Sequence, residues 1–274
     1  MSCLAALVPT HVAHGVSLRT VLRDDLDAKA EELRSIGYTL LDSGLSAREL
    51  AALRDRMESI YRTQVDEIGG AQALVRCHDL DVARCPLAYD DTFVGVAANA
   101  PLISLVQRLL GENIVLLQQN GLFNRPQSQH YQTHWHRDIS YQHWTSSEPI
   151  AINALLTLDD FTHENGATHV LPASHLRAEF PSEAYVEKFA TPVVAPAGTF
   201  LVLDAMLFHR AGRNRSSGER RAVNHLIGRP FMAQQFDLPR MVDARHGEDP
   251  FLNRYLGFRW SPCASVADWR RLRS

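Results

Sequence analysis

The sequence THWHRD at residues 133–138 places one residue between a histidine and an aspartate, His136 and Asp138. Alternate residues of an extended segment point to the same side, so both side chains can reach one ion together. An imidazole and a carboxylate then fill two adjacent coordination positions. A third ligand from elsewhere would complete a facial set of two histidines and one carboxylate, which leaves positions open for a bidentate co-substrate and oxygen. The segment therefore predicts a metal site on an extended segment of the chain.

The third metal ligand is predicted to be His209, because of the residues that precede it. Residues 199–203 read TFLVL, an apolar strand, and residues 204–205 supply a turn. A strand followed by a turn can deliver a side chain into the mouth of a β-barrel. His134 lies two residues before His136 and is an alternative ligand, but an additional ligand would close the site. We therefore interpret His134 as a residue of the pocket wall or of the surface.

The region around these ligands consists of short apolar or alternating segments separated by Pro, Gly, Asn and Asp. The candidate strands are residues 114–123, 150–158, 169–171, 191–194, 199–203 and 220–228. Several short strands with turn signals between them favour a closed sandwich or jelly roll over a parallel sheet with crossover helices.

Helices are predicted mainly before this region. Helix formers dominate residues 25–36, and Gly37 supplies a stop before an apolar strand at residues 38–41. The residues SARE at 46–49 have the form of a capping box, and apolar residues recur at helical spacing behind it. A shorter helix is predicted at residues 101–110, which begin with a proline and end before a glycine.

The length of 274 residues favours a single domain over residues 1–274, since barrels and sandwiches of this size commonly stay undivided. Residues 1–22 carry no pattern and are expected to form a loose N-terminal arm. Residues 254–274 contain two tryptophans and several arginines, and we expect them to form a packed C-terminal cover.

The composition argues against two classes of partner. The formal net charge is -3, and acidic and basic residues are mixed along the chain. This distribution predicts no positive surface potential that would attract nucleic acid or an anionic membrane. The four cysteines lie far apart without a CxxC pair, as expected of reduced thiols. No stretch of about 18 apolar residues occurs. We expect a cytoplasmic protein without nucleic-acid or membrane partners, and the sequence does not indicate its oligomeric state.

Three segments together resemble the ordered signature of the phytanoyl-CoA dioxygenase family of iron/2-oxoglutarate oxygenases. They are WHRD at residues 135–138, ENGATHVLPASH at residues 164–175, and His209 followed by Arg220. The resemblance spans roughly residues 37–228. It implies a mainly β fold with flanking helices, namely a double-stranded β-helix (a cupin-like jelly roll). It also implies iron(II), 2-oxoglutarate and O2 as cofactor and co-substrates, with iron held by the three predicted ligands.

The resemblance also implies a role for Arg220. The family's co-substrate arginine lies eleven residues beyond the distal histidine, and Arg220 has that position here. A planar guanidinium suits the far carboxylate of 2-oxoglutarate, which it can bind through two parallel hydrogen bonds. If Arg220 faces inward, strand alternation turns Ala222 and Asn224 inward, and it turns Arg221 and His225 outward or toward another layer. The alternative is that both arginines are solvated at the start of a strand.

Other polar residues near the predicted site allow more than one interpretation. Asn153 lies inside an apolar strand and is a candidate for co-substrate binding or for a satisfied amide of the core. Gln118, Gln119 and Asn120 interrupt another apolar strand, and at least one should face the cavity; our candidate for the cofactor-binding set is Gln119.

The chain departs from the family at one position of the predicted site. Many relatives carry a serine two residues after the distal histidine, where it helps to hold the co-substrate, but this chain has Ala211. One hydrogen bond to the co-substrate carboxylate must therefore come from another group.

The resemblance implies oxidative decarboxylation of 2-oxoglutarate coupled to hydroxylation of an unactivated carbon. Related halogenases lack the carboxylate ligand, so Asp138 argues against halogenation. The same site is compatible with desaturation, cyclisation or epimerisation, and a non-catalytic metal-binding jelly roll is a further alternative. The predicted substrate is a small or medium polar metabolite of specialised biosynthesis, free or attached to a carrier protein.

Overall fold

The strands form two antiparallel sheets in the computed structural model, which describes residues 19–126, 131–139 and 144–273. The strands are β1 (Tyr38–Asp42), β2 (Val82–Arg84), β3 (Val115–Asn124), β4 (Ala151–Thr157), β5 (His169–Val170), β6 (Thr191–Pro192), β7 (Thr199–Asp204), β8 (His209–Arg210) and β9 (Arg220–Gly228). The larger sheet has the order β1-β7-β4-β9-β3-β2, and the smaller sheet has the order β6-β5-β8.

Helices precede, interrupt and follow these strands. They are α1 (Asp25–Ile36), α2 (Ala47–Glu67), α3 (Ala71–Arg76), α4 (Thr92–Ala97), α5 (Ala100–Leu110), α6 (Glu183–Phe189), α7 (Leu238–Met241), α8 (Pro250–Tyr255) and α9 (Val266–Arg271). Among the helices of the described ranges, none combines the length and the apolar character needed to cross a bilayer.

The predicted element boundaries agree closely with the structure. The helix predicted at residues 25–36 is confirmed as α1, and the one predicted at residues 101–110 is confirmed as α5. The capping box is confirmed as well, because the Ser46 hydroxyl accepts from the Glu49 backbone while the Glu49 carboxylate accepts from the Ser46 backbone at 2.8 Å. The strand predicted at residues 220–228 is β9.

The larger sheet is buried on both faces. On its outer face, Val202 and Val223 belong to one apolar core together with Leu53 of α2. On its inner face, Leu201 belongs to a second core that includes Val170 of the smaller sheet. A sheet that is covered on both sides has strands that are apolar throughout, which explains the uninterrupted run TFLVL. The inner faces of the two sheets therefore enclose the space in which a ligand can lie.

The chain ends contribute unequally to this fold. Residues 1–18 of the predicted N-terminal arm lie outside the described residues. In the predicted C-terminal cover, Tyr255 and Leu256 are buried in the outer core, whereas α9 has no buried residue. The division of the chain into a domain, an arm and a cover stays a prediction.

Candidate metal centre

The two histidines of the predicted site lie opposite each other on adjacent extended segments. His136 and His209 form an antiparallel bridge in which each backbone N–H donates to the other's carbonyl oxygen at 3.0 Å. Asp138 follows two residues later, and its backbone N–H donates to Ala205 O at 3.1 Å. Because these backbone contacts align the three side chains, their ligand atoms all lie within 4.8 Å of one another. Such a cluster can hold one metal ion.

Hydrogen bonds set the orientation of both imidazole rings. His136 Nδ1 lies 2.8 Å from the carbonyl oxygen of His134, and His209 Nδ1 lies 3.0 Å from the carbonyl oxygen of Leu207. A carbonyl oxygen only accepts, so each Nδ1 carries the proton and each Nε2 presents a lone pair. His209 Nε2 lies 3.8 Å from Asp138 Oδ1. Both rings thus offer Nε2 to the side of the carboxylate, as in a metal site.

The protonation of His136 also suits ligation. Burial lowers the pKa of this ring from its usual value, and the neighbouring His209 lowers it further, while the charge of Asp138 acts in the opposite direction. The neutral form of the imidazole is therefore favoured, and this is the form that binds a metal.

Asn153 holds the carboxylate of Asp138, a candidate metal ligand. Its Nδ2 donates to Asp138 Oδ2 at 2.6 Å, and its Oδ1 is buried without a partner in the described part of the chain. The side chain lines the same pocket as the three candidate ligands. The structure thus brings Asn153 to the predicted site, where its contact is with a candidate metal ligand.

Arg137, between the two ligands of the HxD pair, faces the opposite side. Its guanidinium donates to the carbonyl oxygens of Ser174 at 3.0 Å and Ala178 at 3.3 Å. The guanidinium carbon also lies 3.9 Å from the ring centre of Phe208, which precedes His209. Arg137 therefore connects both segments that carry candidate metal ligands to the turn at residues 174–178. Sequence reasoning did not single it out, although alternation points it away from the metal.

Arg220 lies on the inner face at the first residue of β9 and is only 5% exposed. Its Nε is buried without a hydrogen-bond partner among the described residues, and its guanidinium carbon lies 4.2 Å from the Phe161 ring centre. Burial lowers the pKa of Arg220 to about 10, an effect that the charge of Asp159 opposes. The side chain is therefore a cation at neutral pH that lines the pocket of the metal ligands.

The neighbouring Arg221 has a different environment. Its Nε and Nη2 donate to the two carboxylate oxygens of Asp159 at 2.9 and 3.0 Å. Because side chains alternate along β9, Arg220 lines the pocket whereas Arg221 forms an ion pair outside the pocket.

The rest of the pocket combines apolar and polar side chains from both sheets. Besides the residues described above, it is lined by Leu122, Gln132, Leu155, Thr168, Leu203, Ala211 and Asn224.

Thr168 is a pocket residue that the sequence reasoning missed. In the smaller sheet, His169 pairs with Arg210 and Val170 pairs with His209. Continuing this register by one residue sets Thr168 opposite Ala211, and both line the pocket. The sequence alone carries no signal for Thr168, because its place opposite Ala211 depends on the pairing of two strands that are distant along the chain.

The cofactor-binding role predicted for Gln119 requires correction. Its Nε2 donates to Phe93 O at 2.8 Å and lies 3.0 Å from His225 Nε2, while its Oε1 accepts from Leu87 N at 3.0 Å. These partners belong to the helix side of the larger sheet, so Gln119 points away from the pocket. Its neighbour Asn120 pairs with Asn224, and by alternation its side chain belongs to the inner face of the sheet.

Comparison with known proteins identifies the type of fold and relatives of this chain. The chain matches the family described as Phytanoyl-CoA dioxygenase (PhyH) over residues 33–222. An uncharacterized protein of Mycobacterium bovis is 34% identical, with 86% of this chain and 84% of that protein covered. The L-proline trans-4-hydroxylase of Streptomyces griseoviridis is 30% identical over 54% of each chain.

Solved structures support the fold. The non-heme alpha ketoglutarate dependent epimerase SnoN from nogalamycin biosynthesis has a TM-score of 0.54 at 20% identity, covering 75% of this chain and 83% of its own. Apo HygX from Streptomyces hygroscopicus has a TM-score of 0.59 at 18% identity, covering 77% and 90%. The predicted fold class, a jelly roll with flanking helices, is confirmed.

Proposed function

The chain belongs to the phytanoyl-CoA dioxygenase family, and from this premise we propose that it is an iron(II)- and 2-oxoglutarate-dependent dioxygenase that hydroxylates a small or medium polar metabolite. The observation that carries the proposal is one pocket that contains both the cluster of His136, Asp138 and His209 and the buried cation of Arg220. The three candidate metal ligands lie on the side of the smaller sheet, and Arg220 lies on the larger sheet. A ligand that chelates the metal and carries a distal anion can therefore bridge the two sheets.

The donor set suits iron(II). Two imidazole nitrogens and one carboxylate form the facial arrangement that leaves coordination positions open for other ligands. Bound iron(II) would supply the activation of O2 and the transfer of an oxygen atom to a carbon–hydrogen bond. The protein would supply orientation, since Asn153 fixes the carboxylate of Asp138 and backbone carbonyls fix both rings.

Arg220 is the proposed partner of the distal carboxylate of 2-oxoglutarate. A buried guanidinium gains most from a carboxylate that it can bind through two parallel hydrogen bonds. Thr168 is the proposed second donor, because its side chain lies across from Ala211, where many relatives carry a serine. A threonine on the neighbouring strand would then replace the missing serine hydroxyl.

Hydroxylation is the proposed outcome of the reaction. The similarity to a proline hydroxylase supports this outcome over desaturation, cyclisation or epimerisation. The amides of Gln132, Asn153 and Asn224 at the pocket favour a polar substrate, free or attached to a carrier. We place the reaction in the cytoplasm, because the cysteines are dispersed along the chain as in reduced proteins.

The first experiment measures iron(II)-dependent conversion of 2-oxoglutarate to succinate by the purified chain. We expect one iron per chain, and we expect His209→Ala to lose both iron binding and succinate formation while its circular dichroism is unchanged. Stoichiometric iron binding without turnover of 2-oxoglutarate would favour the non-catalytic metal-binding alternative. Full activity of His209→Ala would remove the third ligand from the proposal.

The second experiment separates the two arginines. Breaking a charge-assisted pair in a partly dry pocket costs about 2–5 kcal/mol. Arg220→Ala should therefore raise KM for 2-oxoglutarate roughly 30-fold or more, since about 1.4 kcal/mol corresponds to a factor of ten. The matched control is Arg221→Ala, which removes only an external ion pair and should leave KM nearly unchanged. A larger effect at Arg221 would contradict the assignment.

The product is tested with candidate substrates under labelled dioxygen. Gain of one labelled oxygen atom, measured by mass spectrometry, is the expected result. Loss of two hydrogens without added oxygen would indicate desaturation or cyclisation instead.

A further inference from the structure

A groove lies between two segments that follow β9, and we call it the C-terminal groove. Residues 230–240 form one wall and residues 257–264 form the other. The described residues that line it are all different from those that line the pocket of the metal ligands. Its volume is about 680 Å³. Pockets for small molecules commonly have volumes of about 300–1,000 Å³, so the groove has the size of a ligand site.

The two walls of the C-terminal groove are held together by the side chain of Gln234. Its Nε2 donates to the carbonyl oxygens of Leu116 on β3 at 2.8 Å and of Leu256 at 3.0 Å. Gly257, which begins the second wall, has φ +98°, and a Cβ at this position would collide with the Gln234 side chain. This close approach therefore requires glycine. The groove is a built part of the fold and exists before a ligand enters.

The inner end of the groove lies next to the candidate metal centre. Val115 and Met232 line the groove, and they also pack in one apolar cluster with Ala205 and Ile139. Ile139 follows Asp138 directly in the chain, and the carbonyl oxygen of Ala205 accepts from the Asp138 backbone at 3.1 Å. The groove therefore begins at the end of the barrel that carries the metal ligands and runs from there to the surface.

The walls of the groove are apolar and aromatic, with polar groups among them. Trp260 is 37% exposed, Phe236 is half-buried, and Phe231 beside the groove is 76% exposed. Large apolar side chains that are exposed close together mark binding surfaces. Aromatic faces favour flat rings, which they contact by stacking. Asp237 and Ser261 supply polar groups, so the lining suits a flat apolar ring body that carries polar substituents.

We propose that the C-terminal groove binds a flat, apolar ring portion of the substrate while the carbon to be oxidised lies at the metal centre. The inference rests on the proposed function and narrows its substrate to a metabolite with both a ring body and polar groups. The position of the inner end favours a substrate over a second copy of the chain or a partner protein. Neither of these would need a groove that begins beside the metal ligands.

The first test uses N-phenyl-1-naphthylamine, a neutral ring compound whose fluorescence increases in apolar surroundings. The full-length protein is titrated with this probe, and we expect one molecule to bind per chain. Trp260→Ser removes an aromatic wall and Ala264→Trp fills the groove, so each should weaken binding about tenfold or more. The matched control is Trp269→Ser, because Trp269 is 48% exposed on α9 and does not line the groove. Its affinity for the probe should equal that of the parent protein.

The second test locates the bound probe without any substitution. Cys263 lines the groove, whereas Cys77 is exposed after α3. Alkylation of both thiols by iodoacetamide is followed by mass spectrometry of the peptides, with and without saturating probe. The probe should slow the alkylation of Cys263 and leave that of Cys77 unchanged. This result is obtained even if a groove variant fails to fold.

The third test relates the groove to the metal centre. Manganese(II) bound at the candidate ligands should broaden the proton NMR signals of the bound probe, because its unpaired electrons relax nearby protons. Zinc(II), which has no unpaired electrons, should not broaden them. His209→Ala should lose the broadening by manganese(II) and still bind the probe.

Several outcomes would overturn the inference. Parent-like affinity of folded Trp260→Ser and Ala264→Trp, or alkylation of Cys263 that the probe does not slow, contradicts a ring site in the groove. A probe that protects Cys263 but is not broadened by bound manganese(II) contradicts the connection to the metal centre. Conversion of 2-oxoglutarate by a protein that does not bind the probe removes this inference alone. Binding of the probe by a protein that binds neither metal nor 2-oxoglutarate removes the proposed function, and the substrate assignment with it.

Discussion

Two asparagines on adjacent strands of the inner face have different partners. Asn153 donates to Asp138 Oδ2 at 2.6 Å, so it contacts a candidate metal ligand. The amide oxygens of Asn153 and Asn224 both have no partner among the described residues, so the two residues differ in the bond that Asn153 donates. Both residues have the same chemistry and the same parity, and their partners decide what each can do.

The contact of Asn153 leads to a prediction about metal affinity. Groups that orient a metal ligand typically contribute 10–100-fold in affinity. Asn153→Leu leaves Asp138 without its donor, and we expect iron(II) to bind about 10–100-fold more weakly. The measurement is anaerobic competition with a chelator of known affinity.

The control for this prediction is Gln119→Leu, the same type of change on the opposite face of the sheet. It should lower the free energy of unfolding, since it leaves buried groups without partners, but iron affinity should stay unchanged. Equal iron affinity of Asn153→Leu and the parent protein would show that Asp138 needs no orientation by Asn153.

At the scale of elements, β9 has two polar faces with separate tasks. Arg220 and Asn224 line the pocket, whereas His225 lies on the other face and is fully buried. His225 Nδ1 lies 3.0 Å from Ala154 O, and its Nε2 lies 3.0 Å from Gln119 Nε2. The ring is therefore neutral, donating through Nδ1 and accepting through Nε2, and it links three strands of the larger sheet.

His225 makes stability dependent on pH. Burial lowers its pKa from 6.5 to about 4, and the hydrogen bond to Ala154 only partly offsets this. Between these values the unfolded chain binds the proton and the folded chain does not, so stability falls as the pH decreases below 6.5. The contribution should amount to about 2 kcal/mol between pH 7 and pH 5.

The measurement is urea unfolding at several pH values, in comparison with His225→Gln. The variant cannot titrate, so its stability should vary less between pH 7 and pH 5 by about the same 2 kcal/mol. Identical pH profiles would mean that His225 is not a neutral buried ring.

Two loops approach each other closely next to the pocket. A Cβ added at Gly212 would lie 2.6 Å from Ala167 O, and Gly166 on the facing loop has φ +79°. This approach brings Thr168 across from Ala211. Gly212→Ala should lower the free energy of unfolding by about 1–3 kcal/mol, because backbone atoms must move.

The matched control in the same loop is Gly218→Ala, since an added Cβ there meets no atom within 4 Å. Gly212→Ala should have a lower free energy of unfolding in denaturant and a weaker affinity for 2-oxoglutarate. Both quantities should remain near the parent values for Gly218→Ala. Equal behaviour of the two variants would contradict the close packing of the loops.

At the scale of the whole molecule, the site joins the two sheets. His136 and His209 lie on the smaller-sheet side, whereas Asn153, Arg220 and Asn224 belong to the larger sheet. A ligand that contacts residues of both sheets can bind only the folded chain. Its binding must therefore stabilise the folded state.

Metal and 2-oxoglutarate should therefore raise the unfolding temperature in sequence. A ligand at 100 times its Kd adds about 2.7 kcal/mol, which corresponds to roughly 5–10 °C for a chain of this size. Anaerobic thermal scans should show one increase with iron(II), its reversal by a chelator, and a further increase with 2-oxoglutarate that Arg220→Ala lacks. An equal increase with 2-oxoglutarate in the metal-free protein would contradict a bridging mode.

The sequence by itself determined the features that depend on local periodicity. Neighbouring residues set the direction of each side chain along a strand or helix. They were therefore sufficient to predict that His136 and Asp138 face the same side, that Ser46 caps a helix, and that β9 spans residues 220–228. That Arg220 and Arg221 point to opposite sides was predictable for the same reason, whereas the choice of Arg220 as the inward residue rested on the resemblance to the family.

Only the tertiary structure decided the environment of residues on strands that are buried on both faces. Gln119 lies on such a strand, and a register shift between Leu116 and Gln118 prevents parity from being counted from the strand start. The position of Thr168 opposite Ala211 likewise depends on two distant loops whose glycines, Gly166 and Gly212, approach each other closely. Alternation assigns a side chain to a face, but long-range pairing decides whether that face meets the helices or the site.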